Sequence, residues 1–104
     1  MKIQQTLVSA VALAVVVLSP LTVMAQQTVR IVQTNSAGDN VHIIDPVTNT
    51  VVGEISGIER AHGAQPSPDG RWLYVANESD DTVDVVDVTM LKVTEQIPLS
   101  GRPN

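Results

Sequence analysis

The chain has no cysteine and no phenylalanine, and its aromatic residues are Trp72 and Tyr74 alone. The missing cysteine excludes a disulfide framework, a thiol nucleophile, a lipid carried on an N-terminal cysteine and a haem attached through a cysteine pair. Stability must therefore come from packing. Basic residues are also scarce: six Lys and Arg stand against eleven Asp and Glu, a net charge of −5. Such a chain lacks the basic footprint that nucleic acid or an anionic membrane surface requires, so neither is an expected partner. There is no glycine-rich phosphate loop, no serine elbow and no nucleophile–base pair, so the residues give catalysis no support. No segment shows a helical apolar period, which leaves strands as the expected elements.

Long apolar runs are missing everywhere except at the start, where Leu7 to Leu18 is interrupted only by Ser9. Lys2 precedes this run, Ser19-Pro20 ends it, and Val23-Met24-Ala25 offers small residues on both sides of Met24, the pattern of a secretory leader. The run is shorter than the roughly 20 residues that cross a bilayer. Residues 1–25 are thus expected to be a signal peptide cleaved after Ala25, leaving a periplasmic or secreted protein with no membrane attachment. Lys2 is the single basic residue of that segment, so its removal takes the net charge from −5 to −6.

What the remainder does contain is a repeat with a spacing of 42 residues. Sliding residues 29–62 onto 71–104 matches Asn35 with Asn77, Asp39 with Asp81, Val41 with Val83, Asp45 with Asp87, Val51 with Val93, Ile55 with Ile97 and Arg60 with Arg102. These are seven identities in 34 pairs, where roughly two arise by chance. Ile31 with Leu73, Ile43 with Val85 and Ile44 with Val86 keep aliphatic character. A repeat of this length built from short strands is the mark of a β-propeller blade.

Bursts of β-branched residues between turn formers predict the strands. They fall at Thr28 to Thr34, Val41 to Asp45, Thr50 to Ile55, a short strand after Arg60-Ala61-His62-Gly63, Trp72 to Ala76, Thr82 to Val88 and Lys92 to Leu99. Ser67-Pro68-Asp69-Gly70 reads as a tight turn, with proline pre-set for its second position and glycine accepting positive φ. Ile43-Ile44 and Val85-Val86 put aliphatic groups on both faces of a strand, so each sheet is expected to be covered on both sides.

Ser67-Pro68-Asp69-Gly70-Arg71-Trp72-Leu73-Tyr74-Val75-Ala76-Asn77, then Asp81-Thr82-Val83-Asp84-Val85-Val86-Asp87, Leu91-Lys92-Val93, and Ile97-Pro98-Leu99-Ser100-Gly101-Arg102-Pro103-Asn104 together resemble the YVTN-type β-propeller repeat. Ala76 stands where that family has threonine, and Val86 where it has isoleucine. The match covers nearly all of residues 28–104, and the first repeat follows the pattern less closely. The resemblance implies an all-β propeller with blades of four antiparallel strands, in repeats of about 28–62 and 63–104. Relatives of this kind are mostly seven-bladed and exported. Some are similar to surface-layer proteins or to the haem-bearing propeller of nitrite reductases. Two blades do not close such a ring, so the chain is expected to be an N-terminal fragment or truncated product with exposed sheet edges. Its remaining blades, or self-association, are the expected cover.

In a four-stranded blade the loop between the second and third strands shares one end with the crossover to the next blade, and ligands bind at that end in such propellers. Arg60, His62, Asn77, Asp81, Arg102 and Asn104 are the candidate binding residues there. Arg60 and Arg102 occupy the same repeat position, and guanidinium groups suit bidentate capture of carboxylate or phosphate. The competing reading has each Arg bracing its crossover. His62 suits an anion, metal or haem, or a plain hydrogen bond to a loop; no second ligand accompanies it at metal-like spacing. His42 reads as a blade-surface residue. Asp80, Asp81, Asp84 and Asp87 lack the alternate spacing and glycine bend of a calcium loop. Asp45 and Asp87 recur at one blade position, which predicts a repeated hydrogen bond to a loop backbone. Trp72 and Tyr74 are expected between blades. Asn77-Glu78-Ser79 is formally a glycosylation sequon, a weak signal.

The function expected from these residues is a non-enzymatic exported module that binds a small anionic ligand or a protein partner, with no cofactor and no metal. The alternatives are part of an enzymatic or electron-transfer propeller, haem-bearing or lactonase-like, or a structural surface-layer repeat.

Overall fold

The computed structural model describes residues 14–20 and 27–104. Residues 14–20 are exposed and without regular structure, and most of the expected leader, including its Val23–Ala25 cleavage segment, lies outside the described residues. No helix among the described residues is long and apolar enough to cross a membrane.

The strands are β1 (Ile31–Thr34), β2 (Asn40–Asp45), β3 (Thr50–Ser56), β4 (Ala61–Pro66), β5 (Trp72–Asn77), β6 (Thr82–Asp87) and β7 (Lys92–Pro98). They form two antiparallel sheets, one of three strands in the order β1-β2-β3 and one of four in the order β4-β5-β6-β7. The described residues are all-β, in two sheets that form part of a propeller and do not close a ring. The first blade departs from the four-strand expectation, because among the described residues nothing pairs with β1 where β4 pairs with β5.

Local chemistry dictates the turns. The carboxylate of Asp45 accepts a hydrogen bond from the Val47 N–H at 2.8 Å, and that of Asp87 accepts from Thr89 and Met90 at 2.8 and 3.0 Å. This is the repeated side-chain-to-loop bond that the sequence predicts, an Asx turn. The same turns place Asn49 and Leu91 at φ of 55° and 53°. Asparagine tolerates the left-handed region; leucine does so at a cost. Leu91 is held there by packing, since it is half-buried against the core. Gly53 makes room for it: a Cβ on Gly53 would lie 2.6 Å from Leu91 Cδ1.

The Ser67–Gly70 turn ties β4 to β5. Gly70 N–H donates to the Ser67 carbonyl at 2.9 Å, Trp72 N–H to Ser67 Oγ at 3.0 Å, and Ser67 Oγ to Asp69 Oδ1 at 2.6 Å. The Ser67 hydroxyl first, then the Arg71 N–H, hold the Asp69 carboxyl below its ordinary value, because both stabilise the anion.

Both sheets carry a bulge at the same repeat position. Ile43 faces Gly53 while Ile44 faces Val51, and Val85 faces Glu95 while Val86 faces Val93. Val52 and Thr94 are the extra residues, and each twists its outer strand. The two sheets stack through Val41, Ile55, Ile58, Ala61, Leu73, Val75 and Val86, all essentially inaccessible to solvent. Ile55 and Ile58 are the largest fully buried side chains among the described residues, and full burial of such a side chain is worth about 1.5–3 kcal/mol. Gly57 allows the chain to reach from one to the other, with φ of 83°.

The stacking is head-to-tail. Sheet one presents its Val41 and Ile43 face, whereas sheet two presents Leu73, Val75 and Val86. Trp72 and Tyr74 do not fill the gap between these two sheets. They alternate with Leu73, line the opposite face with Val85 and Ile97, and Tyr74 stays exposed. Arg71 lies over the Trp72 ring, 5.0 Å from its centre, a cation–π contact on that face.

Candidate binding face at the crossover end

The loops between the second and third blade strands are bonded to the crossovers in both repeats, with one bond in common. The Asp39 carbonyl accepts from Gly57 N–H at 2.9 Å and Ile58 N–H at 3.1 Å, and the Asp81 carbonyl accepts from Leu99 N–H at 2.9 Å. Gly38 carbonyl also accepts from Arg60 N–H at 3.1 Å. These bonds satisfy backbone groups that leave the sheet ladder, and they gather the candidate residues at one end of the blades.

Glu78 is the centre of the group. Its side chain is almost buried, and its two oxygens face different partners: Oε2 lies 3.4 Å from Arg60 Nη2 and Oε1 lies 3.4 Å from His62 Nε2. The Glu78 N–H also donates to the Arg60 carbonyl at 3.4 Å. Arg60 itself sits at φ of 53°, a left-handed bend that turns its half-exposed guanidinium back toward the blade. Beside it, Ser79 Oγ donates to Glu59 Oε2 at 3.0 Å.

Below this trio lies a second polar group built around the buried Asn77, Thr82 and Asp84. Asn77 is fully buried; its Nδ2 donates to Asp84 Oδ2 at 3.0 Å and to Asp80 Oδ2 at 3.2 Å, while its Oδ1 accepts from Asp80 N–H at 3.1 Å. Asp84, also fully buried, accepts at Oδ1 from Thr82 Oγ1 at 2.6 Å and Gln96 Nε2 at 3.1 Å. Among the described residues no buried side-chain nitrogen or oxygen lacks a partner. A carboxylate can be buried on these terms because each of its two oxygens meets at least one donor.

The candidate residues therefore separate. Arg60 and His62 meet at Glu78. Asn77 is consumed by the network with Asp80 and Asp84. Asp81 is exposed at φ of 54°, and its carbonyl, not its carboxylate, makes the structural bond. Arg102 and Asn104 are exposed, and among the described residues no ion pair involves Arg102. No group of three or more acidic or histidine side chains among the described residues is arranged to hold a metal ion. Glu78 was missed by sequence reasoning. The signal for it was the topology: an acid directly after the Asn77 strand end shares the loop end with Arg60 and His62.

A separate groove of about 550 Å³ opens between the sheets at the hairpin end, lined by Arg30, Ile43, Val52, Leu73, Val88 and Leu91 among others. It contains none of the crossover-end residues.

No family model matches the sequence, and no curated protein matches it. Among solved structures the chain is similar to Kuenenia stuttgartiensis hydrazine synthase, with a TM-score of 0.67 and 30% identity over 71% of this chain. The match spans 21% of that chain, so it covers about a fifth of the relative's length.

Proposed function

We propose that this chain is a blade-forming module of an exported YVTN-type propeller that holds a small anionic ligand or an acidic loop of a protein partner at its crossover end. The observation that carries this reading is the convergence of Arg60 and His62 on the Glu78 carboxylate at the crossover end, with the exposed Arg102 at the repeat position of Arg60. Arg60 meets Glu78 through Nη2 and its guanidinium is half-exposed, so its other N–H donors suit an incoming carboxylate or phosphate. Further blades or a second copy cover the exposed blade faces.

Titration calorimetry with inorganic phosphate and with citrate tests this. Arg102→Ala abolishes the heat of binding and leaves thermal stability unchanged. Equal titration curves for the parent and the variant refute the reading.

A second reading draws on the hydrazine synthase likeness, since 30% identity extends over most of this chain. In it the blades are scaffold within an enzyme whose chemistry comes from other segments. Elution of the native protein in a stoichiometric complex with other polypeptides supports that reading, and elution alone refutes it.

A further inference from the structure

The groove between the two sheets at the hairpin end opens where the repeat departs from itself at three positions. One wall is the face of sheet one that meets sheet two, and the residues 42 places later form the outward face of sheet two. There Trp72, Tyr74 and Glu95 stand where this wall has Arg30, Val32 and Gly53. Valine for tyrosine and glycine for glutamate remove volume from a wall that keeps its aliphatic residues elsewhere, Ile43 for Val85 and Ile55 for Ile97. Leu91 takes part of the space over Gly53, where a Cβ would lie 2.6 Å from its Cδ1. About 550 Å³ is left, within the roughly 300–1,000 Å³ of small-molecule sites.

The groove is apolar and open. Val32, Val52 and Val88 contribute to it and stay exposed, so an apolar group laid over them is stabilised by the water it displaces. Its polar side chains are Thr28 and Arg30, both on the segment that leads into β1, and it contains no acid. Arg30 Nη1 donates to the Val29 carbonyl at 2.9 Å and lies 3.6 Å from Asp45 Oδ2, an ion-pair separation longer than a hydrogen bond. Asp45 in turn gives its other oxygen to the Val47 N–H. Among the described residues the Nε and Nη2 hydrogens of Arg30 make no hydrogen bond. The Arg30 end therefore offers donors and positive charge, while the walls offer hydrocarbon.

We propose that this groove binds an amphipathic monocarboxylate, a medium-chain fatty acid anion, with its carboxylate on Arg30 and its alkyl chain between the sheets. A single cation at one end selects a single anionic head. The aliphatic walls favour an alkyl chain over a sugar, whose hydroxyls would leave water without gaining partners. The site is separate from the crossover end, and neither depends on the other: inorganic phosphate and citrate have no chain to place between the sheets, and Arg102 lies outside this groove.

Calorimetric titration of the full chain with decanoate, below the concentration at which it forms micelles, tests this. Decanoate binds at one per chain, and decyltrimethylammonium, the same chain on a cationic head, gives no heat beyond dilution. The emission of Trp72, the one tryptophan of the chain, stays unchanged, because it lies on the far face of sheet two. Arg30→Gln weakens decanoate binding by about tenfold or more. Val32→Tyr installs the residue that the repeat has at this position and abolishes binding. Should that variant melt early, the methyl resonances of Val32, Val52 and Leu91 in the parent decide instead, and they shift as decanoate is added. Failure of decanoate to bind the full chain overturns the proposal. Equal affinity for the two head groups does so too, as does an unchanged decanoate affinity in Arg30→Gln, binding retained in a folded Val32→Tyr, or unmoved methyl resonances. A shift of Trp72 emission puts the ligand on the outward face and overturns it as well.

Discussion

The two sheets are built from one repeat, yet they are buried very differently. Leu73 is 2% exposed, and its counterpart Ile31 is 49% exposed; Val93 packs on the core, and its counterpart Val51 is 54% exposed. Both pairs are aliphatic, so residue type does not explain this. Each blade uses one face against its follower and the other against its predecessor. Sheet two has a predecessor here, and sheet one has none among the described residues. Equivalent residues thus acquire different energetic weight from position alone. A residue's contribution depends on the area it removes from water, not on its type.

The sharpest test of that comparison is a matched pair of truncations. Leu73→Ala costs about 2–5 kcal/mol, since it opens a cavity in the stacked core, while Ile31→Ala costs under about 1 kcal/mol. Urea unfolding of both variants measures the difference, and equal losses would break the comparison.

Asp84 and His42 form the next pair, since they share one repeat position. Asp84→Ala leaves the buried Thr82 hydroxyl without its acceptor, takes one of two acceptors from Asn77 and from Gln96, and costs roughly 3 kcal/mol. His42→Ala loses only partly exposed contacts, with Glu54 Oε2 at 3.8 Å and Asn40 Nδ2 at 3.5 Å, and costs under about 1 kcal/mol. The same unfolding curves decide this.

A smaller contrast lies between the two arginines. Arg60→Ala removes a half-exposed pair with Glu78 and lowers stability by up to about 1 kcal/mol. Arg102→Ala leaves the melting temperature of this chain unchanged. Differential scanning fluorimetry of the two variants separates bracing from binding.

The smallest effect belongs to the Ser67–Gly70 turn, which sheet two has and the described part of sheet one lacks. Asp69 has a lowered folded-state value, so its contribution is complete above the ordinary carboxylate range. It is lost as pH falls from that range through the lowered value. Ser67→Ala removes the largest cause of the shift and flattens the acid limb of a stability–pH curve relative to the parent. An unchanged acid limb would mean that the turn plays no part in it.

Much of this was legible from the residues. The β-branched bursts place six of the seven strands of the described chain within a few residues, because short range propensity and turn chemistry act locally; β4 carries no β-branched residue, was expected only after Gly63 and begins at Ala61. β1 is shorter than the Thr28 to Thr34 expectation, starting at Ile31, since residues before it have no strand to pair with. The Asx turns at Asp45 and Asp87 were predicted from the repeat and occur as hydrogen bonds. Blade topology correctly put the crossover and the loop between the second and third strands at one end. The pairing of Glu78 with both Arg60 and His62 was not legible, because it joins residues from two elements through side-chain geometry.

The sequence by itself determined the all-β character, the repeat, the turn types and the lack of cysteine chemistry, all of which follow from local propensity and residue identity. Only the tertiary structure decided which face of each strand is buried, that Trp72 and Tyr74 lie on the outward side of sheet two, and that Asp84 is fully enclosed. Those outcomes depend on which blade stacks against which. Stacking is a long-range event that buries one of two nearly equivalent apolar faces, and a period-two strand pattern with aliphatic residues on both sides carries no preference between them.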